Sequence, residues 1–175
     1  DLVDEVGADV VRFIMLFRRN DAPIDFDFEV VTAQTRDNPV FYVQYAHARA
    51  CSVFRNAKRD LPDLDISLDA LQKADLSVLS DPAEIELIKM AAQFERVVAS
   101  ATEAHEPHRV AFYVHDLASA FHTFWTKGKE RPELRFVNLD EQTITLSRLA
   151  LVNAVRQVLA NSLGILGVSA PDELS

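Results

Sequence analysis

The stretch from 38 to 59, NPVFYVQYAHARACSVFRNAKR, constrains this chain most: an Asn-Pro pair opens twenty-two residues that carry four basic side chains and no acidic one. Asn38 is a natural N-cap, and Pro39 fits a first helical turn, where a missing N–H costs nothing. A helix therefore starts at Pro39. At about 100° per residue, Val40, Val43, Ala46, His47, Ala50, Val53, Phe54 and Ala57 share one side. Tyr42, Tyr45, Arg49, Ser52 and Asn56 gather on the other. Aromatic rings beside a guanidinium off the core side of a helix can stack on unpaired bases and hold phosphate. A second helix covering the same tyrosines is the competing explanation, since Tyr is common at half-buried positions.

The rest of the chain reads as all-α. Only four glycines occur in 175 residues, and the prolines at 23, 39, 62, 82, 107, 132 and 171 are spaced to allow a helix plus its connection in most intervals. Ala8 to Arg19 reads as an apolar helix, followed by an NDAP turn. Ile24 to Phe28 reads as extended, and Glu29 to Thr35 as helical. Asp81, Pro82 and Glu84 spell a capping box for one helix running to about Thr102. Residues 60 to 80 promise only short helical turns. With 49% hydrophobic residues the chain can bury a core. It contains no apolar run of about eighteen residues, so no membrane span is expected and a cytoplasmic location is the default.

A net charge of −9 weighs against a nucleic-acid partner, because phosphate binding depends on Lys and Arg displacing counterions. Screening limits that objection. The Debye length is about 8 Å, whereas a helix of this length extends about 33 Å. The acidic residues collect in Asp1 to Asp9, in DFDFE and in Asp60 to Asp81, leaving residues 38 to 59 locally basic.

Other reactive side chains read as structural. Cys51, the single cysteine, lies at the edge of the apolar side of its helix and is expected to be a buried thiol. His108, His115 and His122 recur every seven residues, about 10.5 Å of helix, too far apart for neighbouring imidazoles to share an ion. They are expected to flank a seam of Val110, Val114, Leu117, Ala118, Phe121 and Phe124. His47 reads as a hydrogen-bonded interior histidine. No metal site and no catalytic constellation is expected, for there is no Gly-rich phosphate loop and no nucleophile–base spacing.

The string YVQYAHAR after NPV resembles the start of the anticodon-binding, DALR-type bundle of bacterial arginyl-tRNA synthetases. GADVVRFIMLFRRNDAPIDFDFEVV, residues 7 to 31, resembles the segment that follows the KMSKS-type loop in that family. PHRVAFYVHDLASAFHTFW and SRLALVNAVRQVLANSLGILGVSAPDEL resemble its closing helices and C-terminal ending, with Leu174 where Met is usual and Ser162 where Gly is common. The resemblance implies a helical bundle of the class I synthetase anticodon-binding type over residues 36–175. It implies a stem-contact segment over 1–35 that joins an upstream catalytic domain, with Arg12, Arg18 and Arg19 as phosphate contacts or ordinary solvated charges.

The same resemblance implies that tRNA(Arg) is the partner, that Tyr42, Tyr45, Arg49, Ser52, Asn56 and Leu174 are its contacts, and that the protein is a monomer. ATP, Mg and the ligase chemistry would belong to the full-length parent, leaving this chain without cofactor and inactive alone. The bundle of another class I synthetase, or a helical protein-docking module built on Phe41, Tyr42 and Tyr45, are the alternatives.

Overall fold

The computed structural model describes residues 2–19 and 27–174. Helices α1 (Leu2–Val6), α2 (Ala8–Leu16), α3 (Phe28–Thr32), α4 (Pro39–Asp60), α5 (Leu68–Gln72), α6 (Pro82–Ala92), α7 (Phe94–Ala104), α8 (His108–Glu130) and α9 (Gln142–Ile165) are joined in that order, with single 3-10 turns at Leu76–Val78 and Pro132–Leu134. No strand occurs among the described residues, in agreement with the all-α expectation. No helix among them is long and apolar enough to cross a membrane.

Helix α4 is the axis of the bundle and packs against both α8 and α9, while α6 and α7 lie on α8. Its buried residues include Val40, Val43, Ala46, His47, Ala50, Val53 and Ala57, the side that the periodicity assigned to the core. On α8 the expected seam of Val110, Val114, Leu117, Ala118, Phe121 and Phe124 is buried throughout. Helix α2 joins the same core through Phe13, which is wholly buried.

Asn38 ties α4 to what precedes it. Its side-chain oxygen accepts from the Phe41 N–H at 3.3 Å, and its amide donates to the carbonyls of Val31 at 2.8 Å and Ala33 at 3.0 Å. One residue thus caps α4 and fixes the end of α3.

The capping box of α6 forms as expected: Asp81 accepts from Ala83, and Glu84 Oε2 accepts from the backbone of Ser80 and Asp81. Local sequence rules do not signal what the other oxygen does. Glu84 Oε1 accepts from Arg148 Nε at 2.7 Å, with both side chains only 2% exposed. Arg148 Nη1 also donates to the carbonyls of Glu133 and Arg135, each at 2.7 Å. The pair therefore locks α6, α9 and the 132–135 turn together. Against α8 that turn comes so close that a Cβ on Gly128 would lie 3.2 Å from both Arg135 Cα and the Leu134 oxygen.

Several boundaries differ from the sequence expectation. Helix α2 stops at Leu16 rather than Arg19, and Phe17 turns to pack on Phe13 and Phe112. Phe28 opens α3 instead of ending an extended segment, because Asp27 caps the helix through the N–H groups of Glu29 and Val30. That helix ends at Thr32, before the expected Thr35. The NDAP turn and residues 24 to 26 lie outside the described residues.

The single helix expected from Asp81 to Thr102 is broken at Gln93 into α6 and α7. The Tyr113 hydroxyl donates to the Met90 carbonyl at 2.7 Å, and Gln93 N–H reaches back only three residues to that same carbonyl. A side chain that takes a ladder acceptor kinks a helix. Ser162, on α9, is fully buried with its hydroxyl unpartnered among the described residues.

Removing one member of a buried ion pair leaves an uncompensated charge, so Glu84→Ala should lower stability by about 3 to 5 kcal/mol in urea denaturation. A loss below about 1 kcal/mol would show that Arg148 is satisfied by its carbonyl partners alone. Phe54, expected in the core, is only half-buried, with the Arg156 guanidinium over its ring at 4.8 Å. Truncation of a fully buried ring such as Phe121 should cost about 3 to 5 kcal/mol. Phe54→Ala should cost clearly less in the same assay.

Candidate nucleic-acid interface

Two stripes run down α4, and the fold uses them differently. Gln44, His47, Cys51 and Arg55 follow one another at helical spacing, and the segment after α9 runs along them in the same direction. Gln44 donates to the Ser169 carbonyl at 3.0 Å, and His47 Nδ1 donates to that of Pro171 at 2.9 Å. Cys51 Sγ donates to Asp172 at 3.3 Å, and Arg55 reaches the Asp172 carbonyl and the Glu173 carboxylate. His47 is thus the interior, hydrogen-bonded histidine that the sequence suggested.

Upstream, the start of the same tail is held by α2. Asp9 accepts from the Ser169 N–H and hydroxyl, and Arg12 donates to the Gly167 carbonyl at 2.8 Å. Arg12 accordingly serves as a tether. Arg18 has a buried Nη1 without a partner among the described residues, and Arg19 is exposed.

The ligand atoms of His47, Cys51 and Asp172 lie within 4.8 Å of one another. Burial pushes the Cys51 thiol up from its ordinary pKa, and the Asp172 carboxylate pushes it further. A protonated thiol is a hydrogen-bond donor. In this state the trio fastens the tail.

The second stripe contains the residues that the sequence offered for RNA. Tyr42 does not stand clear of the protein: it is half-buried, with its ring 5.2 Å from His115 and 4.6 Å from His122 on α8. For this tyrosine the competing explanation, cover by a second helix, describes the geometry. One turn on, Tyr45 stacks on Phe41 at 5.6 Å, and its hydroxyl accepts from Arg49 Nη2 at 3.0 Å. The Arg49 guanidinium lies 4.1 Å from the Tyr45 ring centre and 5.0 Å from that of Trp125.

Tyr45, Arg49, Ser52 and Leu174 line one open cleft of about 410 Å³, together with Arg55, Trp125 and Lys129. The Ser52 hydroxyl is spent on the Arg49 carbonyl at 2.7 Å, so it contributes little beyond shape. Asn56 is not in this cleft; it lines the neighbouring cavity. Sequence reasoning missed Trp125 and Lys129. The only signal was the position of Trp125 four residues after the core Phe121, at the border of the α8 seam.

His122 sets the orientation of the guanidinium. Arg49 Nη1 lies 3.0 Å from His122 Nδ1, and His122 Nε2 lies 3.1 Å from the Tyr42 carbonyl. Arginine only donates and a carbonyl only accepts, so the ring is the neutral tautomer with its proton on Nε2. Burial is the main cause that lowers the His122 pKa from 6.5 to about 4, with the Arg49 charge adding to it and the Tyr42 carbonyl opposing it. With two of its N–H directions fixed, Arg49 keeps donors for a phosphate or a base edge.

An all-helical bundle that presents an aromatic-backed guanidinium at an open cleft has the ring and the cation with which unpaired bases and phosphate can be held. The chain belongs to the DALR anticodon binding domain family, whose pattern matches residues 43–174. It is similar to the arginine–tRNA ligases of Methylobacterium nodulans and Beijerinckia indica subsp. indica, at 61% and 60% identity over 174 residues. Each match covers 99% of this chain and 30% of the relative. Thermus thermophilus arginyl-tRNA synthetase superposes with a TM-score of 0.78 at 30% identity, covering 97% of this chain and 27% of that one. The chain thus spans about 30% of the length of the curated relatives.

His122 binds a proton more readily in the unfolded chain, so its contribution to stability is complete above pH 6.5 and is lost as the pH falls towards about 4. Between those limits the wild-type chain should lose about 2 to 3 kcal/mol more than His122→Gln in parallel urea titrations. Identical losses in the two proteins would mean that His122 titrates normally in the folded state.

Proposed function

We propose that this chain recognises the anticodon loop of tRNA(Arg) within an arginine–tRNA ligase. The observation that carries the reading is Arg49, held by Tyr45 and His122 at the mouth of a cleft that Trp125, Lys129 and Leu174 complete. A base unstacked from the loop would enter the cleft beside Tyr45, whose ring is covered by Phe41 and Arg49, the remaining Arg49 donors would take its edge or a neighbouring phosphate, and Leu174 would close the far side. Tyr42 would act from behind, by packing His115 and His122 into place. The net charge of −9 does not prevent this, because the cleft presents Lys129, exposed and unpaired among the described residues, beside Arg49.

In the same reading, residues 1–35 lie between this bundle and a catalytic domain in cis that supplies ATP, Mg and arginine handling. The parent works as a cytoplasmic monomer. Arginine specificity is favoured over that of another class I synthetase by the names of the ligases to which the chain is similar.

Binding of an arginine anticodon stem-loop, compared at fixed salt with a scrambled loop, tests the proposal. Tyr45→Ala should weaken binding by about 1 to 3 kcal/mol, the range of an aromatic residue's contribution per base, because it removes the ring that backs Arg49, without loss of helix content. Arg49→Ala should also reduce the salt slope by about one, the signature of a lost phosphate contact. Equal binding of the two loops would defeat the proposal and leave a protein-docking role for the cleft.

A further inference from the structure

Where the tail after α9 crosses α4, it brings three metal-ligating side chains to one point. No spacing rule foretells this, for Asp172 lies 121 residues from Cys51. His47 and Cys51 stand one helical turn apart, the separation at which two side chains of a helix can share an ion. Both are nearly buried, at 5% and 6% exposure, whereas Asp172 is exposed and opens the group to solvent. Cys51 Sγ lies 3.3 Å from Asp172 Oδ1 and 4.0 Å from His47 Nε2.

The tautomer decides what the imidazole offers. A carbonyl only accepts, so the Nδ1 that meets the Pro171 carbonyl at 2.9 Å carries the proton of the neutral ring, and Nε2 keeps a lone pair. An imidazole that donates one N–H to a backbone carbonyl is oriented as histidine ligands of metals are. Nε2, Sγ and the Asp172 carboxylate are thus three electron-pair donors that have only the thiol proton between them.

The spacing and the charge suit a small divalent ion. Tetrahedral zinc ligands, about 2.0 to 2.3 Å from the ion, stand about 3.3 to 3.6 Å from one another. The Sγ–Oδ1 separation already falls there, and all three ligand atoms lie within 4.8 Å of one another. The exposed Asp172 side chain is free of the core packing that would oppose the remaining approach. A thiolate and a carboxylate carry two negative charges, which cancel those of the ion. Burial and the Asp172 carboxylate keep the thiol protonated, and the Arg156 charge on α9 opposes them.

We propose that His47, Cys51 and Asp172 form a binding site for a zinc-like divalent cation, with Nε2, Sγ and a carboxylate oxygen as ligands and water at the fourth position. On binding, the thiol proton leaves to solvent and a sulfur lone pair takes its place on the ion, with no change of oxidation state. Thiolate and imidazole select zinc over magnesium and calcium, which prefer oxygen ligands. The ion would replace one thiol hydrogen bond by three bonds between α4 and the tail, and so hold Leu174, two residues on, at the cleft.

Cobalt(II) chloride is the reporting probe, because a thiolate bound to cobalt gives a near-ultraviolet charge-transfer band and Cys51 is the single cysteine. The chain is reduced with a phosphine, freed of metal by a chelator and titrated with cobalt, which zinc chloride then displaces. One equivalent of cobalt should produce the band, and zinc, the tighter-binding ion, should remove it. Magnesium and calcium chloride should not. Asp172→Asn and His47→Gln should each weaken zinc binding by at least about 10-fold. Cys51→Ser should abolish the band and the rise in thermal midpoint that zinc gives the wild-type chain. Helix content is checked for each variant, and Asp172→Asn, a change at an exposed residue, tests the site without disturbing the core. Absence of the band in the wild-type chain would overturn the proposal. So would a folded Asp172→Asn chain that binds zinc as tightly as the wild type, or zinc affinity unchanged in Cys51→Ser, which would assign the ion to surface histidines.

Discussion

Arg148 and Glu84 meet in the interior of the bundle, and the mutual arrangement of α6, α9 and the 132–135 turn depends on that meeting. Each is nearly inaccessible to water, so the pair depends on the partners that answer its charges: Glu84 accepts from two backbone N–H groups and Arg148, and Arg148 donates to Glu84 through Nε and to two carbonyls through Nη1. The geometry those bonds demand fixes the start of α6, the middle of α9 and the 132–135 turn relative to one another. That turn leads into Phe136 and Leu139, which wall the cavity beside Asn56. A buried charge pair thus shapes a surface that it does not itself line.

The cleft is assembled by a similar economy on α4. One helix carries three kinds of residue around its circumference: apolar positions that meet α8 and α9, a stripe from Gln44 to Arg55 that holds the C-terminal tail, and the stripe of Tyr45, Arg49 and Asn56 that stays open. Tethering the tail brings Leu174 to the cleft, so His47 and Cys51 influence that surface without belonging to it. The low pKa of His122 belongs to the same design, because a protonated imidazole would repel the guanidinium that it now orients.

Much of this was legible in the residues. The caps at Asn38 and Asp81, the buried side of α4 and the α8 seam follow from local rules, since capping and 3.6-residue periodicity involve neighbours within a turn or two. The break at Gln93 was not legible, for it depends on a hydroxyl twenty residues away that takes the Met90 carbonyl. Phe54 was misplaced for a related reason: a wheel gives its direction, but the neighbouring helix decides how deeply it is covered.

The sequence by itself determined that the chain is helical, where its longest helices begin, and that Tyr42, Tyr45, Arg49, Ser52 and Asn56 share a side of one helix. Only the tertiary structure decided how they divide. It turned Tyr42 inward against two histidines, spent the Ser52 hydroxyl on its own helix, placed Tyr45 and Arg49 with Trp125 and Leu174 at one cleft, and gave Asn56 to another. The physical reason is that a helix face is fixed by local backbone geometry, whereas exposure depends on what packs against it, and those partners lie on α8 and in the tail, far away along the chain.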